Sequence, residues 1–244
     1  MATLEDNMSE ILDIILRRRA VKVFDPVDIS VETRDQILKA ASVAPSSFNS
    51  QPYRFYWVQS PEKLKRAARL CFGQKPAATA SALVVAVADI ASWRETAQAE
   101  IAWMRTAGCF SAEKIAEAEK RMKLGKWFFL QGWFGIFGIL KLMILRTIHL
   151  WTITGTIPVA RKGMFKWAGK SAALACANLM IAAEALGLNT CPMEGFDDLR
   201  LAHLVGLSPK NHEILMVIAV GKKSAEHLDR PQWRRPLEST VTVL

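Results

Sequence analysis

The sequence predicts an α+β or α/β fold in one domain, and two observations carry that expectation. The runs SALVVAVAD at 81–89 and EILMVIAVG at 213–221 are short, apolar and rich in β-branched residues, as buried strands are. Around them lie stretches with helical spacing, among them the Ala-rich WAGKSAALACANLMIAAEALGL at 167–188. Strands separated by helices place the chain in these two classes. With 244 residues, 51% hydrophobic and 23% charged, it can bury a large core and is not a disordered polymer.

The elements follow in order. Residues 7–18 place Met8, Ile11, Leu12, Ile15 and Leu16 on one helical stripe that ends in Arg17, Arg18 and Arg19. AVKVFD then alternates briefly until Pro26. Ser30 can cap a helix at about 31–43 with Ile37, Leu38 and Ala41 inward. APSSFNSQP at 44–52 is a polar junction before a strand at 53–59. Ser60 and Pro61 start a helix that runs to about Leu70. The strand at 81–89 is followed by one long helix at 92–122. The helix at 167–188 stops at Gly187, CPMEGF forms a strand and turn, and Asp197 caps DLRLAHLVGL. After the strand at 213–221 the tail has Pro231 and Pro236 and ends in the strand-like TVTVL. That ending has no local partner, so it is expected to reach onto another subunit.

The net charge of +9 is localised. No Asp or Glu lies between Glu119 and Glu184, an interval holding Lys120, Arg121, Lys123, Lys126, Lys141, Arg146, Arg161, Lys162, Lys166 and Lys170. Of 32 Lys and Arg those ten leave 22 against 23 Asp and Glu, or about −1 elsewhere. Because the cations are interleaved with apolar residues, a phosphate-tracking groove is disfavoured and no nucleic acid partner is expected. The four cysteines form no CxxC pair and the four histidines have no ligand spacing, so no metal site is expected. GxGxxG after a strand, GxxxxGK[ST], HExxH and GxSxG are absent from the sequence. The acidic, polar N-terminus MATLEDNMSE is unlike a signal or transit peptide, and the expected location is cytoplasmic.

Four stretches in order, RRRAVKVFD at 17–25, APSSFNSQP at 44–52, ALGLNTCPMEGFD at 185–197 and VIAVGKKSAEHLDRPQWRRP at 217–236, resemble the FMN-dependent nitroreductase family. The resemblance covers most of the chain except about 124–165. It implies a three-layer α+β fold, a central mostly antiparallel sheet flanked by helices. It further implies an intertwined homodimer with FMN at the subunit interface and a tail, at about 228–244, wrapping the partner. NAD(P)H would reduce the flavin by ping-pong hydride transfer, and a nitroaromatic, a quinone or a similar small-molecule electron acceptor would reoxidise it. Alternatives are a flavin- or membrane-binding module without turnover, or the same fold with reductive dehalogenase or flavin-destroying chemistry.

By the same resemblance Arg18, Arg19 and Arg234 hold the FMN phosphate, which suits the arginine fork. Lys22 falls near the pyrimidine edge of the flavin, where a fixed charge favours the reduced anion. Ser46, Ser47, Asn49 and Gln51 belong to a loop that reaches the other subunit's cofactor, and Phe48 covers the substrate face. The backbone of Glu194 and Gly195 approaches the flavin edge, while Pro192 and Met193 pack on the face away from substrate. No catalytic side chain is implied. Ala20 stands where a hydroxyl is common and Gln232 where a lysine is frequent. Gln74 or Lys75 faces the pyrimidine ring, with the register open by one residue. Read without the resemblance, the loop is an ordinary polar turn and the arginine run answers the helix dipole.

Residues 127–160 are long and apolar, with Lys141 and Arg146 their charged residues. A span needs about 20 apolar residues. Lys141, the glycines at 132, 135 and 138, and the return of the chain to PMEGF all argue against one. A helical wheel gathers Gln131, Lys141, Arg146, His149 and Thr152 on one side. The expectation is an interfacial helix, with Trp127, Trp133 and Trp151 at headgroup depth and the ten cations toward an anionic membrane surface. The alternative is a lid packed on the dimer or on a partner.

Overall fold

The computed structural model of the protein describes residues 4–129, 136–153, 160–208 and 210–244. At its centre β3 (Ala82–Asp89) pairs antiparallel with β5 (His212–Lys223), from Ala82 opposite Val220 to Asp89 opposite His212. β2 (Tyr53–Val58) extends the sheet beyond β3, and β4 (Asn189–Met193) and the short β1 (Phe24–Asp25) both pair antiparallel with β5. The apolar run of β3 is buried along its whole length because both of its faces are covered. Leu83, Val85 and Val87 meet one layer, with Ala67 and Ala68 of α3 (Pro61–Leu70), Ala77 of α4 (Lys75–Thr79) and Leu201 of α9 (Asp198–Leu204). Ala82, Val84 and Ala86 meet the other, with Ile37 and Ala41 of α2 (Val31–Ser42) and Cys176, Leu179 and Ala183 of α8 (Arg161–Ala185). The result is the expected α+β arrangement in three layers.

Small residues set the spacing of the second layer. Ala168, Ala172, Ala175, Cys176 and Ala183 lie on the buried stripe of α8, so its backbone comes close to the sheet and to α2. The helix ends in a left-handed turn at Gly187, φ +74°. The Gly187 N–H donates to the Glu184 carbonyl and the Leu188 N–H to the Ala183 carbonyl, which satisfies two terminal acceptors. Gly187→Ala meets no neighbouring atom but must hold the same φ. It is expected to destabilise the fold by about 1–2 kcal/mol in denaturant titration.

The structure corrects two expectations. The single helix at 92–122 is two, α5 (Trp93–Thr106) and α6 (Ala112–Phe129), separated by a turn at Gly108, φ +69°. They fold back on each other through Ile101, Met104 and Ala118, an Arg105–Glu119 pair crossing the turn. Apolar spacing continues through both helices and hides the reversal. In the apolar segment, α7 (Ile136–His149) does not turn Lys141 outward with Arg146 and His149. Lys141 is 7% exposed, and burial lowers its pKa from the usual lysine value. Gln131 and Trp133 lie outside the described residues.

Candidate functional site

α1 (Leu4–Arg17) delivers the arginine run to the edge of the sheet where β4 and β5 meet. The Val21 N–H donates to the Thr190 carbonyl at 3.0 Å, and Ala20 bridges Thr190 in parallel, which fixes residues 18–22 alongside β4. Arg17 pairs with Glu184 at 3.5 Å. Arg19 donates to the Leu16 carbonyl at 2.6 Å, so it answers the C-terminal dipole of α1 as an ordinary helix-ending arginine does. Arg18 is half-buried, and among the described residues its guanidinium reaches no acceptor. The Lys22 ammonium lies 3.2 Å from Cys191 Sγ, a weak acceptor for a full charge, while the Lys22 backbone N–H donates to His227 Nδ1 at 3.2 Å.

β4 leads from Cys191 and Pro192 to the buried Met193 and then to the exposed Glu194 and Gly195. Gln74, which begins α4, closes this turn: its Nε2 donates to the Gly195 carbonyl at 2.7 Å and to the Cys71 carbonyl at 3.1 Å. Of the two neighbours Gln74 and Lys75, Gln74 contacts the turn at Gly195 and Lys75 is exposed. A Cβ on Gly195 would sit 3.2 Å from Gln74 Nε2. The start of the tail folds over the same edge. Lys223 Nζ pairs with Asp229 at 2.7 Å, and His227 is 3.9 Å from that carboxylate. The Lys223 hydrogen bond, with the charges of Lys223, His227 and Arg19, holds Asp229 below the usual carboxylate pKa. His227, Lys223 and Asp229 were within the quoted tail motif, but nothing in their spacing distinguished them individually.

Arg234 is elsewhere. It is exposed, donates to the Trp233 carbonyl at 2.9 Å, and meets neither Arg18 nor Arg19 among the described residues. Beyond it Leu237, Val243 and Leu244 are also exposed. The loop 46–51 is a separate cluster too. A short 3₁₀ turn at Ser47–Asn49 carries Phe48, 80% exposed, at its tip. Ser46 Oγ accepts from the Gln51 N–H at 3.0 Å, Asn49 Oδ1 accepts from Gln51 Nε2 at 3.1 Å, and Asn49 Nδ2 donates to Glu100 at 3.3 Å. The Asp89 N–H donates to the Pro52 carbonyl and Arg54 pairs with the buried Asp89, anchoring the loop's exit. No feature of the sequence singled out Asp89, the end of an apolar strand.

The loop borders a cleft of about 510 Å³ between α5, α6 and the start of α8. Trp93, Phe129 and Trp167 form its aromatic wall, ring centroids 4.8 and 5.2 Å apart, and Arg121 and Lys170 bring positive charge. Together the chain offers two half-sites. One is a cationic edge with an unspent arginine, an ammonium facing a thiol and a backbone turn closed by an amide. The other is a neutral hydroxyl-amide loop beside an aromatic cleft. An edge of this kind suits a ligand combining a phosphate with a flat polar ring. Among the described residues no cluster of His, Cys, Asp or Glu could hold a metal ion.

Three of the four thiols are buried. Burial pushes Cys71 up to about 11 and Cys176 to about 12, Cys191 is buried, and Cys109 is exposed. At pH 8 the native protein is expected to react through Cys109 alone with a thiol-specific chromogenic disulfide, and through all four cysteines in denaturant.

The family model described as "Nitroreductase family" matches residues 15–222. Protein DrgA of Synechocystis sp. is 30% identical over 226 residues, spanning 91% of this chain and 87% of its own length. The oxygen-insensitive NAD(P)H nitroreductase of Salmonella typhimurium is 27% identical over 241 residues, 96% of this chain and 99% of its own. An Exiguobacterium sibiricum protein assigned as a nitroreductase and solved in complex with FMN superposes with a TM-score of 0.71. It is 20% identical and covers 96% of this chain and 97% of that one, a likeness that shows the fold.

Proposed function

The chain belongs to the nitroreductase family, and from that premise we propose that it is an FMN-dependent NAD(P)H oxidoreductase working as a homodimer. The observation that carries this reading is the cationic edge: half-buried Arg18, with no acceptor among the described residues, Lys22 beside Cys191, and the Gln74–Gly195 contact, gathered from three distant parts of the chain. The half-sites also suit a dimer, because the cationic edge and the 46–51 loop hold no contact with each other among the described residues. FMN, when bound, supplies a ring that accepts hydride from NAD(P)H and returns it to an acceptor.

The protein's own groups position and polarise. Arg18 and Arg19 would hold the phosphate, with Arg234 joining from the tail, since the guanidinium fork suits phosphate oxygens. Lys22 would bring its ammonium to the pyrimidine edge of the ring, where a positive charge favours the reduced form. Pro192, Met193, Glu194 and Gly195 present backbone rather than bulk to the ring, held in shape by Gln74. Ser46, Ser47, Asn49 and Gln51 supply neutral donors to the second site of the dimer. Phe48 covers the face where nicotinamide and acceptor bind in turn, beside the aromatic cleft. Such alternation gives parallel double-reciprocal lines. A nitroaromatic or quinone fits the acceptor role.

The test is anaerobic. The purified protein should be yellow, bleach with NADH or NADPH, and recover colour when a quinone or nitroarene is added. A yellow protein that neither nicotinamide bleaches would be a flavin-binding module without turnover. A colourless monomer that ignores added FMN would overturn the reading entirely.

A further inference from the structure

Helix α7 is inverted relative to an ordinary surface helix. The residues it buries are Gly138 and Lys141, while Ile136, Phe137, Ile139, Leu140, Met143, Ile144 and Ile148 are exposed. Leu150, Trp151 and Ile153 continue the apolar surface, with Trp151 85% exposed. An apolar patch of this extent is a surface meant to be covered. Its length limits what covers it. At about 1.5 Å per residue the described part of α7, Ile136–His149, is roughly 21 Å long, against a hydrocarbon core of ~30 Å. Among the described residues no helix is long and apolar enough to cross a membrane.

Charge selects the occupant. The carboxylate-free interval from Lys120 to Ala183 brackets α7 with Lys120, Lys123 and Lys126 on one side and Lys162, Lys166 and Lys170 on the other, and Arg146 lies on α7 itself. Arg146 is exposed on α7 itself, so face-to-face pairing of two copies of the helix would set like charges together. A surface with negative charge above an apolar layer answers both features at once, and an exposed tryptophan suits the boundary between them.

We propose that α7 and the residues that follow it, through Ile153, dock flat on an anionic lipid bilayer, apolar side chains among the acyl chains and flanking cations at the headgroups. The site is independent of flavin binding. The full-length protein, as purified, is mixed with phosphatidylcholine vesicles with and without phosphatidylglycerol and sedimented. It should bind the anionic vesicles preferentially, and less at high salt. The triple variant L140S/M143S/I144S should bind at least about tenfold more weakly, with unchanged flavin content, subunit number and melting temperature. The single variant Met143→Asp, at a position 53% exposed, should weaken binding several-fold and serves where the triple variant does not fold. Absence of binding, or equal binding by the variants, overturns the proposal. So does a variant that loses a subunit, since that result assigns the face to another copy of the chain.

Discussion

Arg18→Ala is expected to weaken FMN binding by about 10- to 150-fold, the equivalent of the roughly 1.5–3 kcal/mol of a hydrogen bond to a charged group. Arg18 is the cleanest cation for this test because its guanidinium holds no other partner among the described residues. Arg19 also caps α1 through the Leu16 carbonyl, so its loss would mix helix fraying with ligand loss. The measurement is quenching of FMN fluorescence on titration into apoprotein, with the apoprotein's melting temperature alongside. Arg18→Lys should recover part of the affinity, since it restores the charge without the fork. A lower melting temperature with unchanged FMN affinity would make Arg18 a structural residue and remove it from the phosphate site.

Asp89→Ala should cost about 3–5 kcal/mol of stability, the combined loss of the hydrogen bonds that one buried carboxylate accepts from Arg54 and two backbone N–H groups. For a chain of this size that is a drop of roughly 6–20 °C in melting temperature. The Asp89 carboxylate is fully buried at the end of β3. It accepts from Arg54 Nε and from the Ala91 and Ser92 backbone N–H groups, and His212 Nε2 stands 3.5 Å away. Removing it strands donors from β2 and from the turn into α5 together. Asp89→Asn keeps the volume but turns an amide donor toward the donors around it, and should also destabilise. Calorimetry of both variants decides the matter. A shift within about 0.5 kcal/mol, as for an ordinary surface change, would show that the cluster is not what holds that corner.

The central layers were legible because burial writes directly into residue type. β3 and β5 announce themselves as apolar runs, and Ser30 and Asp197 cap α2 and α9 where their side chains predicted. The turn between α5 and α6 was not legible, because Gly108 sits in a stretch whose apolar spacing suits one helix as well as two. The orientation of α7 was misjudged for a related reason. A wheel sorts residues into faces but does not say which face meets the protein, and Lys141 went inward. At the candidate site the arginine run, the 46–51 loop and the 192–195 turn were visible as motifs. What they touch was not: the Lys22–Cys191, Lys22–His227 and Gln74–Gly195 contacts join residues 169, 205 and 121 positions apart. Such long-range pairing leaves no local periodicity.

Phe48, Asn49 and Gln51 have φ of 57°, 51° and 42°, and none is glycine. Side chains in that region cost of order 1–2 kcal/mol each, so the 46–51 segment is a tensioned spring kept wound by the Ser46, Ser47 and Glu100 contacts. Its shape therefore exists before any visitor arrives. Under the role proposed for this loop, recognition would match a shape already set, with little conformational freedom left to surrender at the moment of capture.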